Sequence, residues 1–157
     1  MLPMNIYTLD DESMLDQLSD IAFQQMDSNG NDLTRLDEPY RTVAIIFGSQ
    51  GIIDNGGLYY FFENDWPNNP PYSTFAGAYE TIGCIEAAEA IRNAAASFGF
   101  ANPELDFKRR RAYMESNYNE EAFEVNGWND CICGDERVFP HLAFWVRENY
   151  KPRTKAE

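Results

Sequence analysis

Residues 84–96 read Cys84-Ile85-Glu86-Ala87-Ala88-Glu89-Ala90-Ile91-Arg92-Asn93-Ala94-Ala95-Ala96, and neither glycine nor proline interrupts the chain before Gly99. Alanine loses no side-chain entropy on entering a helix, so a run this rich in it predicts a helix over 84–98. Its small side chains allow a neighbouring helix to approach closely, and the run therefore asks for other helices around it.

The rest of the chain supplies them. Over residues 10–26, Met14, Leu15, Leu18, Ile21, Ala22 and Met26 recur at three- and four-residue steps, the pattern of an amphipathic helix. Asp10, Asp11 and Glu12 give it an N-cap and first-turn negative charge, and Asn29-Gly30 a left-handed exit. A second helix is expected to start near Pro39, with Tyr40, Val43, Ala44 and Phe47 on one side and Ile45 and Ile46 broadening the buried face. Asp54-Asn55-Gly56-Gly57 then predicts a turn or helix restart before a short helix through Leu58-Tyr59-Tyr60-Phe61-Phe62. A hairpin is the rival reading, but no second alternating run lies about two to five residues away.

Beyond the proline-rich loop at Pro67, Pro70 and Pro71, Ser73 is expected to cap a helix ending near Gly83. Asp106 is expected to cap one through residues 108–117, and Asn119 to open another turn or two. A last helix, entered near Pro140, carries Val138, Leu142, Trp145 and Val146 over residues 135–150. No strand run competes strongly. The expected architecture is all-α: a compact single domain over 1–157, a bundle of about six to eight helices with short connections.

Charge narrows the function. Twelve Lys and Arg face 26 Asp and Glu, a net charge of -14, so direct binding to nucleic acid or to an anionic membrane surface is disfavoured and a basic partner is expected. No apolar stretch approaches the ~20 residues of a membrane span and the start lacks a signal-peptide pattern, which predicts a cytoplasmic protein with Cys84, Cys131 and Cys133 as reduced thiols. No phosphate loop or GxGxxG occurs, and no cofactor is expected.

Chemistry-bearing patterns are weak. His141, the sole histidine, must serve any Cys–His or Ser–His pair, and no nucleophile motif accompanies it. Cys131, Cys133, His141 and Cys84 offer a ligand set zinc accepts, but one residue between paired cysteines is too few for the usual turn. Asp27 to Glu38 resembles an EF-hand loop except that the sixth position is Asp32, the eighth Thr34, and Pro39 fits a helix start better than a helix under way. Lys108-Arg109-Arg110-Arg111 is read as an intrahelical pairing face with Glu104 and Glu115. No pair of carboxylates is singled out for glycoside hydrolysis.

The remaining feature is a carboxylate array. Residues 10–38 hold nine acids and one Arg: Asp10, Asp11, Glu12, Asp16, Asp20, Asp27, Asp32, Asp37 and Glu38 are the candidate protein-binding residues. Glu12, Asp16 and Asp20 recur every four residues, about 6 Å apart along one side of a helix. Their repulsion costs a few tenths of a kcal/mol per pair, which folding alone gives no reason to accumulate. A single helix is sparser in charge than duplex DNA, so imitation of DNA would need neighbouring elements such as Glu63 or a twofold dimer.

Ile53-Asp54-Asn55-Gly56-Gly57-Leu58-Tyr59-Tyr60-Phe61-Phe62-Glu63-Asn64 resembles the NGG-x-x-x-FF-x-N signature of a bacterial domain family named after a DNA-mimic protein. Ala78-Tyr79-Glu80-Thr81-Ile82-Gly83 and the alanine-rich helix match its continuation, and the resemblance covers about residues 40–150. It implies an all-helical, non-enzymatic protein binder, a homodimer in the namesake, acting on a nucleic-acid-binding protein. The alternatives are an immunity protein that neutralises a basic toxin by the same electrostatics, and a hydrolase or metal enzyme using carboxylates near Cys131, Cys133 and His141.

Overall fold

Helix ends in this chain are set by side chains that satisfy the backbone groups a helix leaves unpaired. The computed structural model describes residues 2–118 and 123–151. Among these residues it contains seven α-helices, three short 3-10 turns and no strand, so the fold is all-α. The expected turn at Asn119 lies outside the described residues. Two compact units divide the chain: one holds the residues up to Ala44 and from Glu136 onward, the other Ile45–Asp135.

In the first unit, α1 spans Asp11–Ser28, and the Asp10 carboxylate accepts the Ser13 N–H at 2.8 Å, as the sequence predicts. Met14, Leu15, Leu18, Ser19 and Ala22 are buried along one side. This side packs on α7, Val138–Asn149, and on the 3-10 turn Met4–Thr8. Arg147 of α7 fastens the arrangement: its guanidinium donates to the carbonyls of Tyr7 and Leu9 and pairs with Asp11 at 2.8 Å. The helix is entered near Pro140, as expected: α7 begins at Val138 and Pro140 is its third residue. A proline is tolerated there, since the first four N–H groups of a helix have no intrahelical acceptor to lose.

The helix restart expected at Asp54-Asn55-Gly56-Gly57 is observed, as a kink at its two glycines. Helix α2 spans Tyr40–Glu63, with Asp54 and Asn55 still helical; only Gly56 and Gly57 depart, Gly57 at φ 67° and ψ −167°. That region of backbone space is open essentially to glycine alone. The kink leaves the Leu58 N–H facing outward from the broken ladder, and the side chain of Asn129, on α6 (Phe123–Asp130), accepts it at 2.8 Å. Asn129 thus performs from 71 residues away what an N-cap ordinarily does from next door.

Beyond the kink, Phe61 and Phe62 are fully buried and meet Tyr72, Phe75 and Phe98 at ring-centroid distances of 4.8–5.7 Å, mostly edge to face. Such contacts between rings add to the area they bury. Helix α3, Tyr72–Thr81, begins directly after Pro71 without a side-chain cap, so Ser73 lies inside its first turn and does not cap it. Residues 82–84 then reverse the chain with Gly83 at φ 84°, and the Cys84 N–H returns to the Tyr79 carbonyl. Helix α4, Ile85–Ser97, is the alanine run; Ala87, Ala88, Ala90 and Ala94 are buried, and α4 packs closely on α3 and on α6. Helix α5, Phe107–Asn117, is capped by Asp106 as predicted, its carboxylate accepting the Arg109 N–H at 3.0 Å.

Candidate protein-binding surface

A helix turns about 100° per residue, so burying Met14, Leu15, Leu18 and Ala22 forces the opposite arc of α1 into solvent. Glu12, Asp16, Asp20 and Asp27 fall within about 80° of one another on that arc and spread over about 22 Å of its length. All four are exposed and make no ion pair among the described residues. Phe23 lies in the same arc and is 40% exposed, an aromatic ring set among carboxylates. Phe23 is not among the residues the sequence nominates, yet its spacing, three after Asp20 and four before Asp27, places it on the same side of the helix.

The other acids of the array divide by what holds them. Asp10 is committed to the cap of α1, and the Ser13 hydrogen bonds hold its carboxyl below the usual range. Asp11 pairs with Arg147. Asp32 accepts from the Thr34 N–H and hydroxyl, which lowers its pKa, and pairs with Arg35 at 3.5 Å. Glu38 pairs with Arg41 at 3.1 Å and accepts from the Thr42 N–H and hydroxyl. Asp37 is exposed and, like the four on α1, is free of ion pairs among the described residues. Of nine candidates, then, Asp10, Asp11, Asp32 and Glu38 have structural partners, and Glu12, Asp16, Asp20, Asp27 and Asp37 have no ion pair among the described residues.

The EF-hand-like segment is arranged otherwise than a calcium loop. Asp27 and Ser28 belong to the last turn of α1, and Asp32 is tied to its own neighbours. Among the described residues, no three His, Cys, Asp or Glu side chains gather as metal ligands would. The Cys133 thiol donates to the Ile53 carbonyl at 3.3 Å, and burial, with Asp54 and Asp130 nearby, raises its pKa, which disfavours the thiolate that nucleophilic attack requires.

The basic cluster is largely consumed by the fold. Arg110 is 1% exposed and donates to the carbonyls of Phe62, Pro103 and Glu104 and to Asp65 at 2.7–3.1 Å. Arg111 pairs with Glu115 at 3.1 Å and lies 3.8 Å from Glu63, while Arg109 stacks on Phe100. Of the neighbouring aromatic residues, Trp66 packs against Phe61 and Phe75 and donates to the Phe61 carbonyl, whereas Tyr60 is 52% exposed.

The signature segment explains itself through this geometry. Asp54 accepts from the Gly134 N–H and from Gln50, whose amide also donates to the Ile132 carbonyl and whose oxygen accepts from the buried Tyr79 hydroxyl. Gly57 leaves room for Asn129, whose side chain a Cβ there would meet at 3.0 Å. The paired phenylalanines fill the core. Asp54, Gly57, Phe61 and Phe62 thus build the fold, and the class that emerges is an all-helical acidic protein whose signature segment is largely architectural.

The chain belongs to the DMP19-like protein family, whose sequence profile matches residues 34–149. The match begins after α1, so the acidic stripe on that helix lies outside it. No curated protein and no solved structure gives a significant match. Among the described residues, no helix is long and apolar enough to cross a membrane.

Proposed function

We propose that this protein is a non-enzymatic acidic binding module that occupies the nucleic-acid-binding surface of a basic protein. The observation that carries the reading is the solvent-facing arc of α1, where Glu12, Asp16, Asp20 and Asp27 stand without cationic partners among the described residues. Membership in a family named for DNA mimic protein 19 supports it. Like charges held side by side repel one another in the free protein, and a cationic partner relieves that repulsion on binding. The attraction speeds encounter and weakens with salt, because screening sets in over about 10 Å at 0.1 M ionic strength.

Density decides what else the reading needs. Four carboxylates over about 22 Å compare with about 13 phosphates on duplex DNA of that length. The stripe therefore acts together with Asp37 and with a second copy, and a homodimer working in the cytoplasm is part of the proposal. Phe23 supplies a central apolar anchor of the kind that dominates interface energetics when ringed by polar groups.

The test is a competition. A basic DNA-binding protein recovered with the wild type from host lysate at low salt is mixed with its duplex DNA. Wild-type protein is expected to displace the DNA, and the variant E12Q/D16N/D20N/D27N to need at least about tenfold more protein and to show a shallower salt dependence. Recovery of neutral partners only, insensitive to salt, or equal competition by the variant, defeats the reading.

A further inference from the structure

We propose that an open cleft beside the acidic stripe seats an extended, lysine- or arginine-bearing segment of the partner protein. The inference rests on the binding reading above and names the part of the partner that this surface takes. The cleft, about 620 Å³ in volume, lies between α1, through Ile21, Gln24 and Gln25, and the stretch carrying Arg35, Leu36 and Asp37. Small-molecule pockets of such size, about 300–1,000 Å³, are mostly apolar and enclose their ligand; this one is open, its polar groups sharing the lining about equally with apolar surface.

Those groups suit a peptide. Gln24 and Gln25 are exposed, and their amides make no hydrogen bond among the described residues. Each offers both a donor and an acceptor, the same pair that a peptide unit carries and must satisfy. Ile21 is half-buried and Leu36 buried, an apolar floor for the aliphatic stem of lysine or arginine. Asp37 receives the charged end. The one cation of the wall, Arg35, is already held by Asp32 at 3.5 Å and donates to the Asn29 carbonyl. Around α1, Gln24 is about 40° from Asp20 and about 60° from Asp27, so a chain leaving the cleft on this side meets the stripe. Charge complementarity thus selects a cationic occupant, and the free amides select one whose backbone is unpaired, which a helix or sheet is not.

The measurement is fluorescence anisotropy of the full-length protein with a labelled decapeptide of alternating lysine and serine, and with a glutamate–serine peptide as control. The cleft variant Q24A/Q25A/D37N is expected to bind the cationic peptide about tenfold more weakly than wild type. E89Q, which removes one exposed charge elsewhere, should change it less than about twofold. All the substituted side chains are exposed, and unchanged far-ultraviolet circular dichroism verifies the fold. Equal loss in the cleft variant and E89Q, wild-type affinity in the cleft variant, or equal binding of the glutamate peptide overturns the cleft assignment. In those cases the surface reading survives if E12Q/D16N/D20N/D27N still competes at least about tenfold more weakly than wild type for the folded partner. Failure of wild type to bind either the peptide or any basic protein overturns both.

Discussion

Arg110 and Glu12 are both charged residues on helices, yet they do opposite things. Arg110 is sealed from solvent with four oxygen acceptors around its guanidinium. Glu12, with Asp16, Asp20 and Asp27, stands in water without an ion pair among the described residues. In Ile45–Asp135, four polar side chains are spent on architecture: Gln50, Asp54, Tyr79 and Asn129 each complete a bond the backbone or core needs. On the solvent face of α1 such groups are left over. The difference teaches that charge becomes a candidate for function where folding has not used it.

The sharpest way to test that division is to damage the spent side. Arg110→Met should destabilise the protein by about 3–5 kcal/mol in urea unfolding, because three carbonyls lose their donor in a buried site. A cost below about 1 kcal/mol would mean that water replaces the guanidinium and that Arg110 is no more committed than the acids of α1.

Gly57→Ala comes next, at about 2–3 kcal/mol, since alanine must enter backbone territory reserved for glycine and meets Asn129 as well. Asn129→Ala should cost about 1–2 kcal/mol through the uncapped Leu58 N–H. Because the two share one contact, the double variant should fall short of the sum; strict additivity would separate the kink from its cap.

Neutralising the unspent side should barely touch stability. E12Q/D16N/D20N/D27N is expected to leave the urea midpoint unchanged or slightly raised, by a few tenths of a kcal/mol for each repulsive pair removed. A marked loss of stability would place those acids among the structural residues.

The smallest effect concerns Asp10, where acid should act on the fold and not on the partner surface. Its folded pKa lies below the unfolded one, so its contribution is present above the unfolded value and disappears as pH falls through the folded value. Asp10→Asn should therefore narrow the gap in thermal stability between neutral and strongly acidic solution. An unchanged gap would remove Asp10 from the cap's pH response.

Local chemistry was legible in the sequence wherever it acts within a few residues. The Asp10 and Asp106 caps, the alanine helix and the glycine break at 56–57 all have causes within one turn of chain. Ser73 misled because Pro71 already fixes the geometry that starts α3 at Tyr72. The pairing predicted for the basic cluster holds for Arg111 with Glu115, but nothing local marks Arg110 as buried: its acceptors stand 6 to 48 residues away. The acidic stripe was visible as a four-residue repeat. Which of its neighbours would be neutralised was not, since Asp11 meets Arg147 across 136 residues.

The remote cap on Leu58 has a kinetic corollary. A helical segment as short as Leu58–Glu63 is unstable alone and starts at a nucleation penalty. Its first amide acquires a partner only after the chain has closed a loop reaching Asn129. That single proton is therefore a built-in clock: its exchange with deuterated solvent should slow only when α6 has docked, and should quicken whenever α6 lifts away.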